Sequence, residues 1–226
     1  MLSKQHEELI PQAYHIYRTH WGADADNALR FRELHARELR VRFLGVWDTV
    51  GALGIPLELF PGFDAERYNF HDVTISRIVD QACHAVAIDE RRKPYAPTLW
   101  HTRAHRTRTE QAWFAGTHSD VGGGLRESGL ASISLRWMVE QARQAGLAVD
   151  TAVLKAMLAE DSEESVHTWI PLPMRHFGTE WREIGVSNAD ETLHPSAEQR
   201  YLRDRSYRPR NLRDFLARDE QMRLPL

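Results

Sequence analysis

Trp113-Phe114-Ala115-Gly116-Thr117-His118-Ser119-Asp120-Val121-Gly122-Gly123-Gly124 is the stretch whose reading decides the fold. A short apolar run breaks into a polar cluster holding a histidine and a carboxylate, and the cluster ends in three consecutive glycines, which are free of the usual steric limits on the backbone. This is the pattern of a strand whose carboxyl end carries chemistry. Val41-Arg42-Phe43-Leu44-Gly45-Val46-Trp47-Asp48-Thr49-Val50-Gly51 repeats it: an apolar run, one acid at its end, then a turn. The two stretches together predict an α/β fold, a mostly parallel sheet flanked by helices, with a site where open α/β sheets bind their ligands, at the carboxyl ends of neighbouring strands.

Outward from these two strands, the remaining elements follow from periodicity and breakers. Leu9, Ala13, Ile16 and Tyr17 have helical spacing interrupted by Pro11, which predicts one helix from near Pro11 or two short ones. A polar loop over 22–27 leads to an Arg- and Glu-rich helix reaching about Glu38. The first strand is expected over 40–47, its near-continuous apolar character suiting burial on both faces. Gly51, Gly54, Pro56, Pro61 and Gly62 mark residues 51–69 as loop or lid. Ile75, Ile78, Val79, Ala82 and Val86 fall on one helical face, so 71–86 is read as the crossover helix of a right-handed βαβ unit. Residues 89–110 form a polar connection containing Arg91, Arg92, Lys93, Arg103, Arg106 and Arg108: a solvated loop, or a basic rim that meets anionic headgroups or phosphates.

After the glycines, Ala131, Leu135, Met138, Ala142 and Ala145 mark a helix that stops at Gly146. Asp150 caps a short helix running to Leu158, and the acidic run 160–164 is expected to be exposed. Two strands are expected, over 166–170 and 181–186. Ser196 with Gln199 reads as a capping box opening a helix, and Asn211 with Asp214 as a second helix start.

Bulk properties bound the function. The 226 residues, 42% hydrophobic and 27% charged, suit an ordinary globular protein. Twenty-nine Lys and Arg against 32 Asp and Glu give a net charge of −3, so no global field argues for nucleic acid. No repeat, low-complexity tract or clean boundary divides the chain, and a single domain over 1–226 is expected. Cys83 is the only cysteine, which excludes an intramolecular disulfide and thiolate metal clusters, and it reads as a small buried hydrophobe. No run approaches the roughly 18 apolar residues of a spanning helix, and the polar start, residues 1–8, is not a signal sequence. The expected location is the cytoplasm of the producing cell, or secretion without a signal peptide.

Four residues are candidates for catalysis. Asp48 closes a buried strand: an acid satisfied by turn amides, or one that orients a histidine and stabilises its imidazolium. His118 sits on a strand-end loop with a side chain suited to proton transfer near neutrality, or it caps the loop. Asp120 is an alternative acid, an anchor for the glycine loop, or a metal ligand; Asp48, His118 and Asp120 are the set to weigh for a divalent ion, although no spaced two-histidine zinc motif is present. His194, ahead of the helix at Ser196, is the rival catalytic histidine, with structural use at the helix start as its other reading. The nucleophile elbow G-x-S-x-G does not occur; Gly185-Val186-Ser187-Asn188-Ala189 lacks its second glycine.

Phe43-Leu44-Gly45-Val46-Trp47-Asp48-Thr49-Val50-Gly51-Ala52-Leu53-Gly54, His84-Ala85-Val86-Ala87-Ile88-Asp89-Glu90-Arg91-Arg92 and the opening stretch together resemble the α/β-hydrolase domain family that includes the type VI secretion phospholipase effectors. Glu191-Thr192-Leu193-His194-Pro195-Ser196 and Tyr207-Arg208-Pro209-Arg210-Asn211-Leu212 extend the likeness. The resemblance implies an α/β-hydrolase core with a Ser-Asp-His triad acting on ester bonds, the acid falling on Asp48 and the histidine on His118. The family's serine lies upstream of the first motif, so the chain is expected to correspond to the C-terminal portion of the catalytic domain, a partial α/β-hydrolase without the nucleophile. The implied contacts are a lipid or other ester substrate, a membrane surface, and a secretion-system partner or the missing N-terminal segment; no cofactor and no nucleic acid are called for. Two other readings stay open: an inactive remnant acting as a binding module, and a metal-dependent hydrolase.

Overall fold

The structure, a computed structural model, describes residues 2, 4–19, 25–50, 75–101, 107–158, 163–170, 176–186 and 190–223. The chain forms two compact units, Met1–Val41 and Arg42–Leu226. In the first, a 3-10 turn over Lys4–Leu9 leads into helix α1 (Ile10–Thr19), followed by α2 (Asp26–His35). Pro11 is the second residue of α1, where its missing N–H breaks no intrahelical bond. The break expected at Pro11 is therefore the change from 3-10 to α geometry.

The second unit is built on four parallel strands in the order β1 (Val41–Trp47), β2 (Val79–Ala87), β3 (Arg108–Phe114) and β4 (Glu191–Leu193). Ala85 pairs with Ala112, Val86 with Trp113 and Ala87 with Phe114; Trp113 in turn pairs with Leu193. Side chains alternate between two buried faces with the period of two that strands impose. Cys83, Ala85, Ala87, Ala112 and Phe114 point into one apolar layer with Val121 and Met138, whereas Val86, Ile88, Trp113 and Ala115 point into another with Ile184, Ala197, Tyr207 and Leu212. Helices supply both layers: α3 (His118–Gly122) and α4 (Gly129–Gln144) on the first, α6 (Pro195–Arg203) and α7 (Arg210–Arg223) on the second. This is an α/β fold. Among the described residues no helix is long and apolar enough to cross a membrane.

Among the described residues of the expected crossover helix, 75–86, no helix forms: 79–86 belong to β2, the most deeply buried strand. Residues 82–88 are a continuous run of small and apolar side chains around His84, and both faces of a central strand bury such a run. The helical spacing of Ile75, Ile78, Val79, Ala82 and Val86 was a coincidence of short range. No strand forms over 166–170 or 181–186 either; the first is a loop and the second an extended segment whose Ile184 joins the core.

Helix ends follow local chemistry. α4 stops where Gly146, at φ +99°, lets its own N–H reach the Arg143 carbonyl and that of Leu147 reach Ala142. Asp150 caps α5 (Thr151–Met157) by accepting from Ala152 and Val153. The cap of α6 is His194, not Ser196: its Nδ1 accepts from the Ser196 N–H, and Pro195 occupies the first helical position. Glu164, expected to be exposed, is half-buried and accepts from the Gly129 N–H at 2.7 Å.

Candidate active site

All four strands end at one edge of the sheet, and each delivers a polar side chain there. β1 delivers Asp48, β2 delivers Asp89 and Glu90, β3 delivers Thr117 to Asp120, and β4 delivers His194. Asp48 is fully buried and has φ +36°, a left-handed turn that an aspartate tolerates better than most residues. The turn folds its carboxylate back over the end of β2, where Oδ1 accepts from the Ala87 N–H at 2.8 Å. Oδ2 lies 2.7 Å from His118 Nδ1.

Arg182 closes the cage. Its Nη1 donates to Asp48 Oδ1 at 2.6 Å and to the Ala87 carbonyl at 2.7 Å, and its Nη2 donates to Asp48 Oδ2 at 3.0 Å and to the Tyr95 carbonyl at 2.6 Å. Burial is the largest single influence on Asp48 and opposes its charge. The His118 hydrogen bond, the Arg182 cation and the Ala87 amide together overcome it and hold the carboxyl at about 2, so the acid is ionised at neutral pH. An ionised carboxylate only accepts, so His118 Nδ1 carries a proton and Nε2 is the basic nitrogen of the neutral ring.

The rest of the His118 surroundings fix the ring. Its backbone N–H donates to Glu90 Oε2 at 3.3 Å, and the Tyr95 ring stands edge-on to it with centroids 5.1 Å apart. Glu90 is held by the Arg91 and Arg92 amides and by the Arg92 guanidinium, whose carbon lies 3.8 Å from the centre of the Tyr95 ring. Burial works against the Glu90 charge, but these bonds keep its carboxyl below the ordinary glutamate range. The His118 side chain keeps 32% of its surface exposed, enough for a reactant to reach the ring. Beneath Asp48, the fully buried His84 accepts the Thr49 N–H at its Nε2, 3.0 Å away, and burial pushes its pKa down to about 4.

Asp120 belongs to a different arrangement. It closes the capping box of α3, its Oδ2 accepting from the N–H and the hydroxyl of Thr117, both at 2.8 Å, and from the His167 N–H at 3.1 Å; Oδ1 meets His167 Nδ1 at 2.5 Å. Asp48, His118 and Asp120 thus do not form the cation-binding set considered from the sequence. Among the described residues the grouping with ligand atoms close enough to be weighed, all within 4.8 Å, is Asp120, Glu164 and His167. Internal hydrogen bonds occupy both oxygens of Asp120, Nδ1 of His167 and Oε2 of Glu164, so the cluster latches the 163–170 loop onto α3.

His194 stacks on Phe114 with centroids 4.3 Å apart, bonds Ser196 through Nδ1, and is pushed down to about 4 by burial. It is placed as a helix cap, and among the described residues no acid is hydrogen-bonded or ion-paired to it. Behind the His118 loop, Asp89 accepts from the Gly116 N–H at 2.7 Å and the Tyr207 hydroxyl at 2.8 Å, while burial raises its carboxyl to about 6. Gly116 is required there: at φ +122° its missing Cβ would lie 2.5 Å from Asp120 Cβ.

Sequence reasoning missed Arg182, Glu90, Tyr95 and His167. The Glu90-Arg91-Arg92 run was visible as part of a motif without a role attached. Arg182 gave no signal, because its partner lies 134 residues away. Of the basic rim, Arg91 stacks over Trp181 at 4.4 Å and Arg92 is paired with Glu90; Arg103 and Arg106, like the lid stretch 51–62, lie outside the described residues.

No curated protein matches the chain, and no solved structure does. A family model does match, described as T6SS, Phospholipase effector Tle1-like, catalytic domain; it covers residues 1–141, more than half of the 226. The match includes Asp48, His118 and Asp120 and stops within α4, before His167, Arg182 and His194. The chain belongs to the family of Tle1-like phospholipase effector catalytic domains of the type VI secretion system.

Proposed function

We propose that Asp48 and His118 are the proton-transfer half of a serine esterase that cleaves carboxylic ester bonds of phospholipids, and that the chain is the C-terminal portion of its α/β-hydrolase-like catalytic domain. The observation that carries this reading is the 2.7 Å contact between His118 Nδ1 and the ionised, fully caged Asp48, which leaves Nε2 basic on a partly exposed ring. His118 Nε2 takes the proton of a serine hydroxyl as its oxygen bonds to the ester carbonyl carbon. His118 then returns that proton to the departing alcohol oxygen as the acyl C–O bond breaks. Water repeats both steps on the acyl-serine, releasing the fatty acid. Through both halves Asp48 stays ionised and stabilises the imidazolium. The serine comes from outside these 226 residues, which contain no G-x-S-x-G elbow.

Family membership supports a lipid substrate. Contact with a lipid surface is supported by Trp169, 75% exposed two residues from the latched His167, and by exposed Arg91 stacked on Trp181.

The test is fatty-acid release from phosphatidylethanolamine–phosphatidylglycerol vesicles by the chain co-expressed with a family segment that carries the elbow. Release that needs the elbow serine, is lost in His118→Gln and falls about 10⁴-fold in Asp48→Asn supports the proposal. Release unchanged in His118→Gln, or abolished by EDTA, overturns it; no release from the complemented protein leaves a binding module in its place.

A further inference from the structure

The Asp48 carboxylate sits on a broad, roughly two-fold torsion, and an oxygen meets His118 Nδ1 only while the plane of the group is held near its present orientation. Two groups from the family-matched part of the chain bear on it, the Ala87 amide and His118 itself. The Arg182 fork, from beyond that part, adds a donor to each oxygen, and each of its two Nη nitrogens also donates to a carbonyl, Nη1 to Ala87 and Nη2 to Tyr95. Those carbonyls belong to the end of β2 against which Asp48 is folded and to the residue whose ring stands beside His118. The guanidinium is thus gauged against both walls of the pair. A tether for the 176–186 segment needs one such bond; four bonds, two of them to the acid, define an orientation.

We propose that Arg182 is a positioning residue for the proton-transfer pair, fixing the plane of the Asp48 carboxylate so that one of its two equivalent oxygens always faces His118 Nδ1. The pair's use in ester hydrolysis rests on the function proposed above; the positioning itself does not. The titratable and charged groups around Asp48 are His118, Arg182 and the neutral His84, with Glu90 and Arg92 paired to each other one layer out. Arg182 is therefore the only cation in direct contact with the carboxylate among the described residues. Without it, burial is opposed by the His118 and Ala87 bonds alone, and a carboxyl that takes up a proton becomes a donor where His118 also donates.

The experiment is NMR on the whole chain carrying ¹³C-aspartate and ¹⁵N-histidine, in wild type, Arg182→Met and Arg182→Lys. Expected in wild type are an Asp48 carboxyl midpoint at about 2 and a His118 ring wholly in the Nδ1–H tautomer. In Arg182→Met the midpoint rises past about 4, the value of a free carboxyl, and the ring becomes a mixture of tautomers. Lys keeps the charge and loses the fork, so Arg182→Lys falls between the two. A folded Arg182→Met with wild-type midpoint and tautomer overturns the proposal, and if that variant does not fold, a wild-type spectrum from Arg182→Lys overturns it equally. In the complemented protein, fatty-acid release should fall in step with the tautomer change. Spectra that change while wild type itself hydrolyses nothing would refute the esterase reading and leave the positioning role standing.

Discussion

Asp48→Asn removes one charge from a cage built around it, and its cost can be worked from the contacts. Asp48 is fully buried and held at about 2 against an ordinary 3.8. A carboxyl depressed in the folded state stabilises folding above its unfolded pKa and loses that contribution as pH falls through the folded value, so at pH 7 it is fully present. The depression corresponds to about 2.5 kcal/mol. Asparagine also leaves the Arg182 side chain, 4% exposed, buried without a counter-charge, and turns one amide N–H toward either Arg182 or His118 Nδ1–H. Breaking a buried pair from one side typically costs about 3–5 kcal/mol, and that is the expected loss. The assay is urea unfolding at pH 7, followed by circular dichroism. Arg182→Met added to Asp48→Asn removes the stranded cation, so the double variant should be less destabilised than the sum of the singles, by about 2 kcal/mol. A loss under about 1 kcal/mol for Asp48→Asn, or strict additivity in the cycle, refutes the cage.

Two further predictions concern acid and glycine. His84 and His194, both held near 4 by burial, stabilise the fold above about 6.5 and lose that contribution as pH falls toward 4, about 3 kcal/mol for His84 and about 2 for the less buried His194. Asp89, raised to about 6, works the other way: its protonation on acidification returns about 3 kcal/mol. The sum is a loss of about 2 kcal/mol between pH 7 and 4, read as a lower Tm; His194→Asn, which keeps a capping side chain without a proton to gain, should lose less, and a Tm unaffected by pH would contradict both assignments. Gly116→Ala should cost about 3 kcal/mol or more, since its Cβ would lie 2.5 Å from Asp120 Cβ at φ +122°. Gly123→Ala, with nothing within 4 Å but with φ +86° and ψ −176°, a region open essentially to glycine alone, should cost only the backbone strain, about 1–3 kcal/mol. Equal melting temperatures for the two variants would count against the tight approach at Gly116.

What could be read from the sequence was whatever neighbouring residues encode. The apolar runs before Asp48 and His118, each broken by a polar turn, placed both residues at strand ends, and Gly146 and Asp150 marked helix boundaries through chemistry within a few positions. β2 was misread because small apolar residues satisfy a helical and a buried-strand pattern equally over a short window. β4, three residues long, is too short to show a period. The capping-box pattern puts the cap of α6 at Ser196, two residues late, whereas the structural reading of His194 at the helix start matches the cap, an uncommon one whose ring nitrogen does the accepting. Arg182 and His167 reach their acids across 134 and 47 residues; such pairs are set by how the sheet and loops pack, which local pattern does not contain. The lid expected over 51–62 falls outside the described residues.

The central claim is that His118, oriented by Asp48, activates a serine. The most direct measurement is the rate at which a fluorophosphonate labels the elbow serine of the complemented protein, in wild type and in His118→Gln. A fall of about 10³-fold or more in the variant is the predicted result; labelling at the wild-type rate without His118 would contradict it.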